Sequence, residues 1–502
     1  MPRKLKTPGV YIEEKNAFPS SAVAVETAVP VFIGYTEKAE WNSKSLIEKP
    51  TRITSFAEYV ERFGGGFQTK FTIIDADSTL KQETFVLNGK HKVVKINDNH
   101  TFYLFNSIRL FYANGGASCY ILAIDTYKDK KDGLEMNPAD FIGSDTKTDP
   151  FKLLEKEFEP TLVLIPDAIH LGDACYDIYA AKVLAHCAKV QSRFGIFDLI
   201  KQLPSDTTDG IVDAFRLKIG GNDLKYGAAY YPWLKTSIVQ PSEVTFENLD
   251  HSVDLSIVLP PTEVAAIGVV TAFKINKEPS ENDKLNYHQA LKATSPTYNN
   301  ILEEVRSKLN ELPASGAMAG LYTAIDSSRG VWKSPANVSV SMVNAPTINI
   351  SQEQQEVLNI DVLTGKSINA IRAFPGIGTL VWGGRTLDGN SQDWCYINVR
   401  RTLIMIEQSL KLAAHAYVFE PNDANTWITV KSMISNFLVN LWKQGALAGA
   451  SPEQAFDVQI GLGSTMTPND ILDGKMLITV KVAIVRPAEF IIMTFQQQMQ
   501  QS

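Results

Sequence analysis

The sequence predicts a mixed α/β fold built on a partly parallel sheet, and three observations carry that expectation. Short runs rich in β-branched and aromatic residues, such as AVPVFIGYT from Ala28 and EPTLVLIPDA from Glu159, read as strands buried on both faces. Between them lie stretches with helical spacing, DACYDIYAAKVLAHCAKV from Asp173 foremost, so that strand, helix and strand follow one another as they do when a crossover joins parallel neighbours. The 502 residues, 44% hydrophobic and 21% charged, fall in the ordinary globular range and can bury a large core, with two or more domains the default.

Taken in order, Pro8-Gly9 is turn material, and VYIEE from Val10 alternates apolar and polar residues as a short strand does. The opening MPRKLKTPGVYIEE has neither the apolar stretch nor the small-residue cleavage site of a secretory signal, and the expectation is a cytoplasmic product. TSFAEYVERFGGGF predicts a helix entered through Thr54 or Ser55, with Phe56, Tyr59, Val60 and Phe63 on one face and Gly64 ending it. From Gln68 to Phe105 the chain is polar and strand-like, and Asn88-Gly89 between alternating runs marks a hairpin. SIRLFYANGGASCYILAI then predicts a helix, a turn and a buried strand, and FGIFDL from Phe194 another strand.

The segment Asn276 to Asn300, charged and without clear period, reads as an irregular linker, with a helix from Tyr298 to Leu312 after it. Two further helices are expected. Leu403, Ile406, Leu410, Ala413 and Tyr417 form the stripe of one, and Trp427, Val430, Ile434, Phe437, Leu438 and Leu441 that of the other. Ser451, Pro452 and Gln454 have the pattern of a capping box opening a third. The last stretch carries two apolar strand candidates separated by Arg486-Pro487. The second, EFIIMTF, is apolar on both faces, so it needs cover from this chain's sheet or from a neighbour's.

Several classes of function are disfavoured. A net charge of -7 and a pI near 5.7 lack the basic footprint of a nucleic-acid binder. The most apolar window, SIVLPPTEVAAIGVVTAF, holds two prolines and Glu263, which a bilayer-crossing helix tolerates poorly. Cys119, Cys175, Cys187 and Cys395 are scattered without a CxxC pair, as suits apolar packing in a reducing compartment; Cys187 adjoins His186, but Cys175 lies twelve residues upstream and about 120° around a helix from Cys187, which argues against a metal site there.

TGKSINAIR, from Thr364 to Arg372, resembles a phosphate-binding loop at first sight. The required first glycine of GxxxxGK[ST] is Ile360, a polar run rather than a buried strand precedes it, and Pro375 ends any following helix early. GIGTLVWGG lacks the third glycine of a dinucleotide fingerprint, holding Val381 instead, so its glycines predict a sharp turn beside a strand. GLGST from Gly461 is not a nucleophile elbow, and none of the seven histidines has a visible third group to orient it. The expectation is a protein without catalytic residues, metal or cofactor.

In the same order along the chain, TPGVYIEE, VPVFIGYT, ITSFAEYVERFGG, FYANGGASCYILAI, YGAAYYPWL, RGVWKSPAN, TGKSINAIRAFPGIGTLVWGGRTL, WCYINVRRTLIMIEQSL, VFEPND, FLVNLWKQGALAGASPEQAF and RPAEFII resemble the contractile tail sheath family. That family is shared by phage tails, tailocins and contractile injection systems, and the look is closest to the injection-system branch. The departures are the inserts Gln68 to Phe105 and Asn276 to Asn300, and Gly384 where relatives usually carry alanine.

The resemblance implies an N-terminal linker arm over 1–25 and an outer α/β domain over 26–300 with a hairpin insertion at about 68–105. It further implies an inner sheath-type domain over 301–480 and a C-terminal linker strand and tail over 481–502. Such subunits stack as hexameric rings in a helical tube, so the implied partners are further copies, an inner tube protein, and baseplate and terminal cap proteins. No nucleic acid is bound directly and no membrane entered. The implied arms are Val10, Tyr11, Ile12 and Glu13 at one end and Phe490, Ile491, Ile492, Met493, Thr494 and Phe495 at the other. β-Augmentation of a neighbour's sheet would satisfy their backbone groups. Arg400, Arg401 and Lys411 flank the first C-terminal helix and are candidates for an inner-tube contact, with an intramolecularly paired helix face as the alternative. The implied activity is nucleotide-free contraction, starting from cytoplasmic assembly and ending in a released or membrane-anchored particle. The competing readings are a cytoplasmic α/β nucleotide-binding enzyme and a static tube or shell protein.

Overall fold

The computed structural model describes residues 22–77, 84–97, 102–128, 134–203 and 206–493. The chain forms two compact units. The smaller holds Thr402–Val485 with the N-terminal residues through Val25, and the larger holds Glu26–Arg401 with the residues from Arg486 onward.

The larger unit is organised by a nine-stranded sheet. From one edge to the other its strands are Val338–Ser339, Gly378–Val381, Asn369–Phe374, Gly227–Tyr231, Phe194–Asp198, Leu162–Leu164, Pro30–Thr36, Cys119–Thr126 and Thr51–Ile53. The strands from Asn369–Phe374 to Cys119–Thr126 run parallel, and antiparallel strands close both edges. Every residue of Pro30–Thr36, Leu162–Leu164, Phe194–Asp198 and Gly227–Tyr231 is buried, as the runs of β-branched and aromatic residues predict for strands covered on both faces. Helices Leu104–Ala113 and Ser315–Arg329 contribute Ile108, Phe111, Met318 and Tyr322 to the core against it.

The first predicted helix spans Phe56–Phe63, capped by Ser55, whose hydroxyl accepts from Glu58 N, and stopped at Gly64, where φ is 86°. The insertion is a three-stranded antiparallel sheet, Phe71–Asp75, Phe85–Leu87 and Lys90–Ile96. Asn88 and Gly89 make its tight turn with φ of 50° and 75°, the left-handed pair that the Asn-Gly signal requires.

Three expectations about local structure are corrected, for the linker, one helical stripe and one capping box. The supposed linker is largely helical: Glu281–Thr294 is followed at once by Pro296–Leu309. The charge of the first helix lies on its outer face, while Tyr287, His288 and Leu291 are buried, and Ser280 and Asp283 close a reciprocal cap that the polar composition concealed. TGKSINAIR leads into a strand, Asn369–Phe374, and the sharp turn that the glycines of GIGTLVWGG predict follows it, with Gly376 and Gly378 at φ of 77° and 108° before Gly378–Val381 returns antiparallel. In the smaller unit, the buried stripe of helix Ile397–Ala414 is Ile404, Met405, Ile406 and Ser409, rotated from the predicted one.

Helix Ala424–Lys443 buries Val430, Met433, Ile434, Phe437, Leu438 and Leu441, close to the predicted set. The third helix is a single turn, Pro452–Ala455. Its predicted capping box is not made, because Gln454 Oε1 accepts from Ala450 N instead. No helix among the described residues is long and apolar enough to cross a membrane.

Candidate linkage site

The smaller unit holds a two-stranded antiparallel ribbon, Phe456–Ile460 paired with Ile478–Val482 in the register Phe456↔Val482 to Ile460↔Ile478. Val458 is buried, and Phe456, Ile460, Ile478, Val480 and Val482 are half-buried. Beyond the ribbon, Ala448 N donates to Ala483 O at 2.7 Å and Val485 N to Ala446 O at 3.2 Å, which extends the pairing by one short segment. Neither strand has a further strand partner among the described residues. Two strands alone are marginal in water, and their outer rows of N–H and C=O groups are templates for another strand.

The chain then passes through Arg486-Pro487 to Glu489, where it is held. Arg385 meets the Glu489 carboxylate with Nη2 at 2.6 Å and Nε at 3.1 Å, Asn359 Nδ2 donates at 2.7 Å, and the Tyr396 hydroxyl at 3.1 Å. Arg385 also donates to Gly389 O at 3.1 Å. Burial works to raise the carboxyl of Glu489, but these donors outweigh it and hold the pKa below the usual value. After this point Phe490, Ile491, Ile492 and Met493 are 67%, 78%, 90% and 73% exposed and form no strand, so four successive apolar side chains stand in solvent. Thr494 and Phe495 lie outside the described residues, as do Val10, Tyr11, Ile12 and Glu13.

The chain becomes described at Ala22, which is buried. Val25 N donates to Ser409 Oγ at 3.1 Å within the smaller unit. In the larger unit, Thr27 Oγ1 donates to Asp326 at 2.5 Å, and Arg401 reaches both Asp326 oxygens, at 2.5 and 3.1 Å, and Thr27 O at 2.9 Å. The Arg401 guanidinium lies 4.6 Å over the Tyr322 ring, whose hydroxyl meets that of Tyr230 at 2.7 Å. Arg400 stacks 4.7 Å from Tyr226 and 5.0 Å from Trp394. Both arginines are thus buried within the chain, which corrects their assignment to an inner-tube contact: a side chain packed in the interior presents no charge to a partner. Lys411 is exposed.

The TGKSINAIR lysine is also occupied. Lys366 is buried and donates to Arg216 O, Arg216 donates in turn to Lys366 O at 3.2 Å, and Asp361 caps the loop by accepting from Leu363 N and Thr364 N. Arg372 donates to Gln355 Oε1 at 2.6 Å.

At the carboxyl ends of the parallel strands, where open α/β sheets bind ligands, two carboxylates are committed to the chain's own helices. Asp167 accepts from Tyr35 N, Tyr103 N and Leu104 N, and Asp198 from Ser315 N at 2.9 Å. Burial pushes each up to about 6, against the pull of those N–H groups. Among the described residues, no group of three or more His, Cys, Asp or Glu side chains is placed to hold a metal.

The Arg385–Glu489 pairing went unseen in the sequence. Both residues sit in motifs singled out there, but 104 positions separate them and no local pattern links them.

Residues 390–498 match the family model of the phage tail sheath C-terminal domain. Curated relatives are the tail sheath protein of Vibrio phage KVP40, 24% identical over 217 residues, or 42% of this chain, and that of Burkholderia phage BcepMu, 28% identical over 142 residues, or 27% of this chain. The chain spans 30% and 29% of the length of these two relatives. Solved structures align over nearly the whole chain. The sheath complex of an extracellular contractile injection system, PVC, in its contracted state is 28% identical with a TM-score of 0.60, covering 98% of each chain. The contracted helical sheath of the anti-feeding prophage is 29% identical with a TM-score of 0.60, covering 98% of this chain and 100% of its own.

Proposed function

Because the chain belongs to the contractile tail sheath family, we propose that it is the repeating subunit of a sheath that polymerises around an inner tube and drives that tube outward by contracting. The observation that carries this reading is the coexistence of a two-stranded ribbon whose edges are open among the described residues and a segment, Phe490–Met493, whose apolar side chains are exposed there. The segment cannot stay in water at low cost, and the ribbon lacks strands; an exchange between copies satisfies both. The partners are further copies stacked in rings, an inner tube protein, and baseplate and cap proteins, in a phage tail or an extracellular injection particle.

The relatives matched are structural sheath proteins, and the subunit works without fuel: contraction runs downhill from a metastable assembled lattice. Lys366 supports this by donating to a backbone carbonyl instead of facing a phosphate. Co-expression with tube and baseplate proteins followed by negative-stain microscopy tests the proposal. Striated cylinders of two lengths are expected, and cylinders of one fixed length make the chain a static shell. Lys366→Ala is expected to leave assembly and contraction intact; ATP turnover by the wild type overturns the fuel-free reading. Removing 1–14 is expected to leave a folded subunit that does not build long cylinders.

A further inference from the structure

We infer that the Arg385–Glu489 clamp is the mechanical anchor of the C-terminal segment, ending tension at the sheet-bearing unit before it reaches the ribbon. The inference rests on reading the residues from Phe490 onward as an arm. Glu489 is the last residue held before that segment enters solvent, and only Arg486, Pro487 and Ala488 separate it from Val485, where the smaller unit ends.

The order matters physically. A pull arriving at Val485 would act directly on the strand Ile478–Val482, which is held by its ladder to Phe456–Ile460 and, beyond it, by the short contacts Ala448 N to Ala483 O and Val485 N to Ala446 O. At Glu489 the geometry differs. Arg385 lies just beyond strand Gly378–Val381, Asn359 is the last residue of helix Gln352–Asn359, and Tyr396 precedes helix Ile397–Ala414, so donors from three places converge on one carboxylate. The guanidinium contacts are charge-assisted and two-pronged, the strongest form of such bonds. The side chains are 10% and 19% exposed, which limits competition from water. Without this clamp the strand that offers an edge to a neighbour would be the one peeled by this chain's own arm.

Sheaths assembled from Glu489→Gln subunits with tube and baseplate are compared with wild type before and after contraction. Extended sheaths are expected in normal number, with the fraction surviving contraction unbroken falling about tenfold, the order of one charge-assisted hydrogen bond. The melting temperature of the unassembled subunit is expected to fall by a few degrees, because the substitution leaves the 10%-exposed Arg385 guanidinium without its counter-charge.

E489Q sheaths that contract unbroken overturn the inference. Deletion of 490–502 separates the two levels: a deleted chain that still assembles overturns the arm reading itself, whereas a deletion that blocks assembly beside an E489Q that contracts unbroken overturns only the clamp. If E489Q yields no folded subunit, Tyr396→Phe, which removes one donor and no charge, is expected to raise breakage by a smaller factor, and unchanged breakage overturns the clamp.

Discussion

The nine-stranded sheet and the two-stranded ribbon use the same backbone chemistry to opposite ends. In the sheet, parallel strands are buried on both faces and antiparallel strands cover the edges, so the backbone groups of its inner strands are paired within one chain. In the ribbon, a single pairing leaves two outer rows open among the described residues, and alternate side chains are exposed. Damage to the first should therefore appear in the isolated subunit, and damage to the second only in the assembly.

The largest effect expected comes from replacing Phe490, Ile491, Ile492 and Met493 together by serine. Cylinder formation should be abolished while the subunit's melting temperature moves by no more than about two degrees, because side chains already in water lose no burial. A fall in melting temperature comparable with that of a core mutant would show that this segment belongs to the subunit's own fold.

Arg401→Leu attacks the opposite pole. It leaves the buried Asp326 carboxylate without its cation, at a cost of about 3–5 kcal/mol to the subunit. Denaturant unfolding of the purified chain reads this, and a loss below about 1 kcal/mol would mean that the Thr27–Asp326–Arg401 contacts are incidental.

Next comes a pH effect confined to the sheet-bearing unit. Asp198 is raised to about 6 by burial, whereas its unfolded value is near 4, so between these the folded chain binds more protons. The contribution is full below about pH 4 and is lost as pH rises through about 6. Asp198→Asn keeps an oxygen for Ser315 N and carries no charge. It should remove up to about 1.4 kcal/mol per pH unit of that decline, read as a flatter melting temperature between pH 4 and 6. Glu489 runs the other way: its lowered pKa gives stability that is present above the ordinary carboxylate range and lost as pH falls through the folded value.

The smallest effect is expected for Gly384→Ala, which introduces the residue that the family resemblance implies. A Cβ there meets Ser334 Oγ, a terminal hydroxyl free to rotate away, so stability should change by less than about 1 kcal/mol. A larger loss would mean that the serine is fixed in place.

What could be read along the chain without coordinates is what neighbouring residues decide among themselves. Buried strands such as Pro30–Thr36, the Ser55 cap, the Asn88-Gly89 turn and the stripe of helix Ala424–Lys443 follow from spacing, side-chain shape and φ preference within a few positions. The apolar run at Phe490 was equally plain, because composition is a local fact, whereas its exposure came only with the coordinates. Only the tertiary structure could reveal that the charged segment after Asn276 buries Tyr287 and Leu291, that NAIRAF is a strand inside the sheet, or that Arg400 and Arg401 face the interior. It alone brings Arg385 to Glu489. The reason is physical: whether a charge is solvated or paired depends on what the fold carries to it from a hundred residues away, and spacing along the chain holds no record of that meeting.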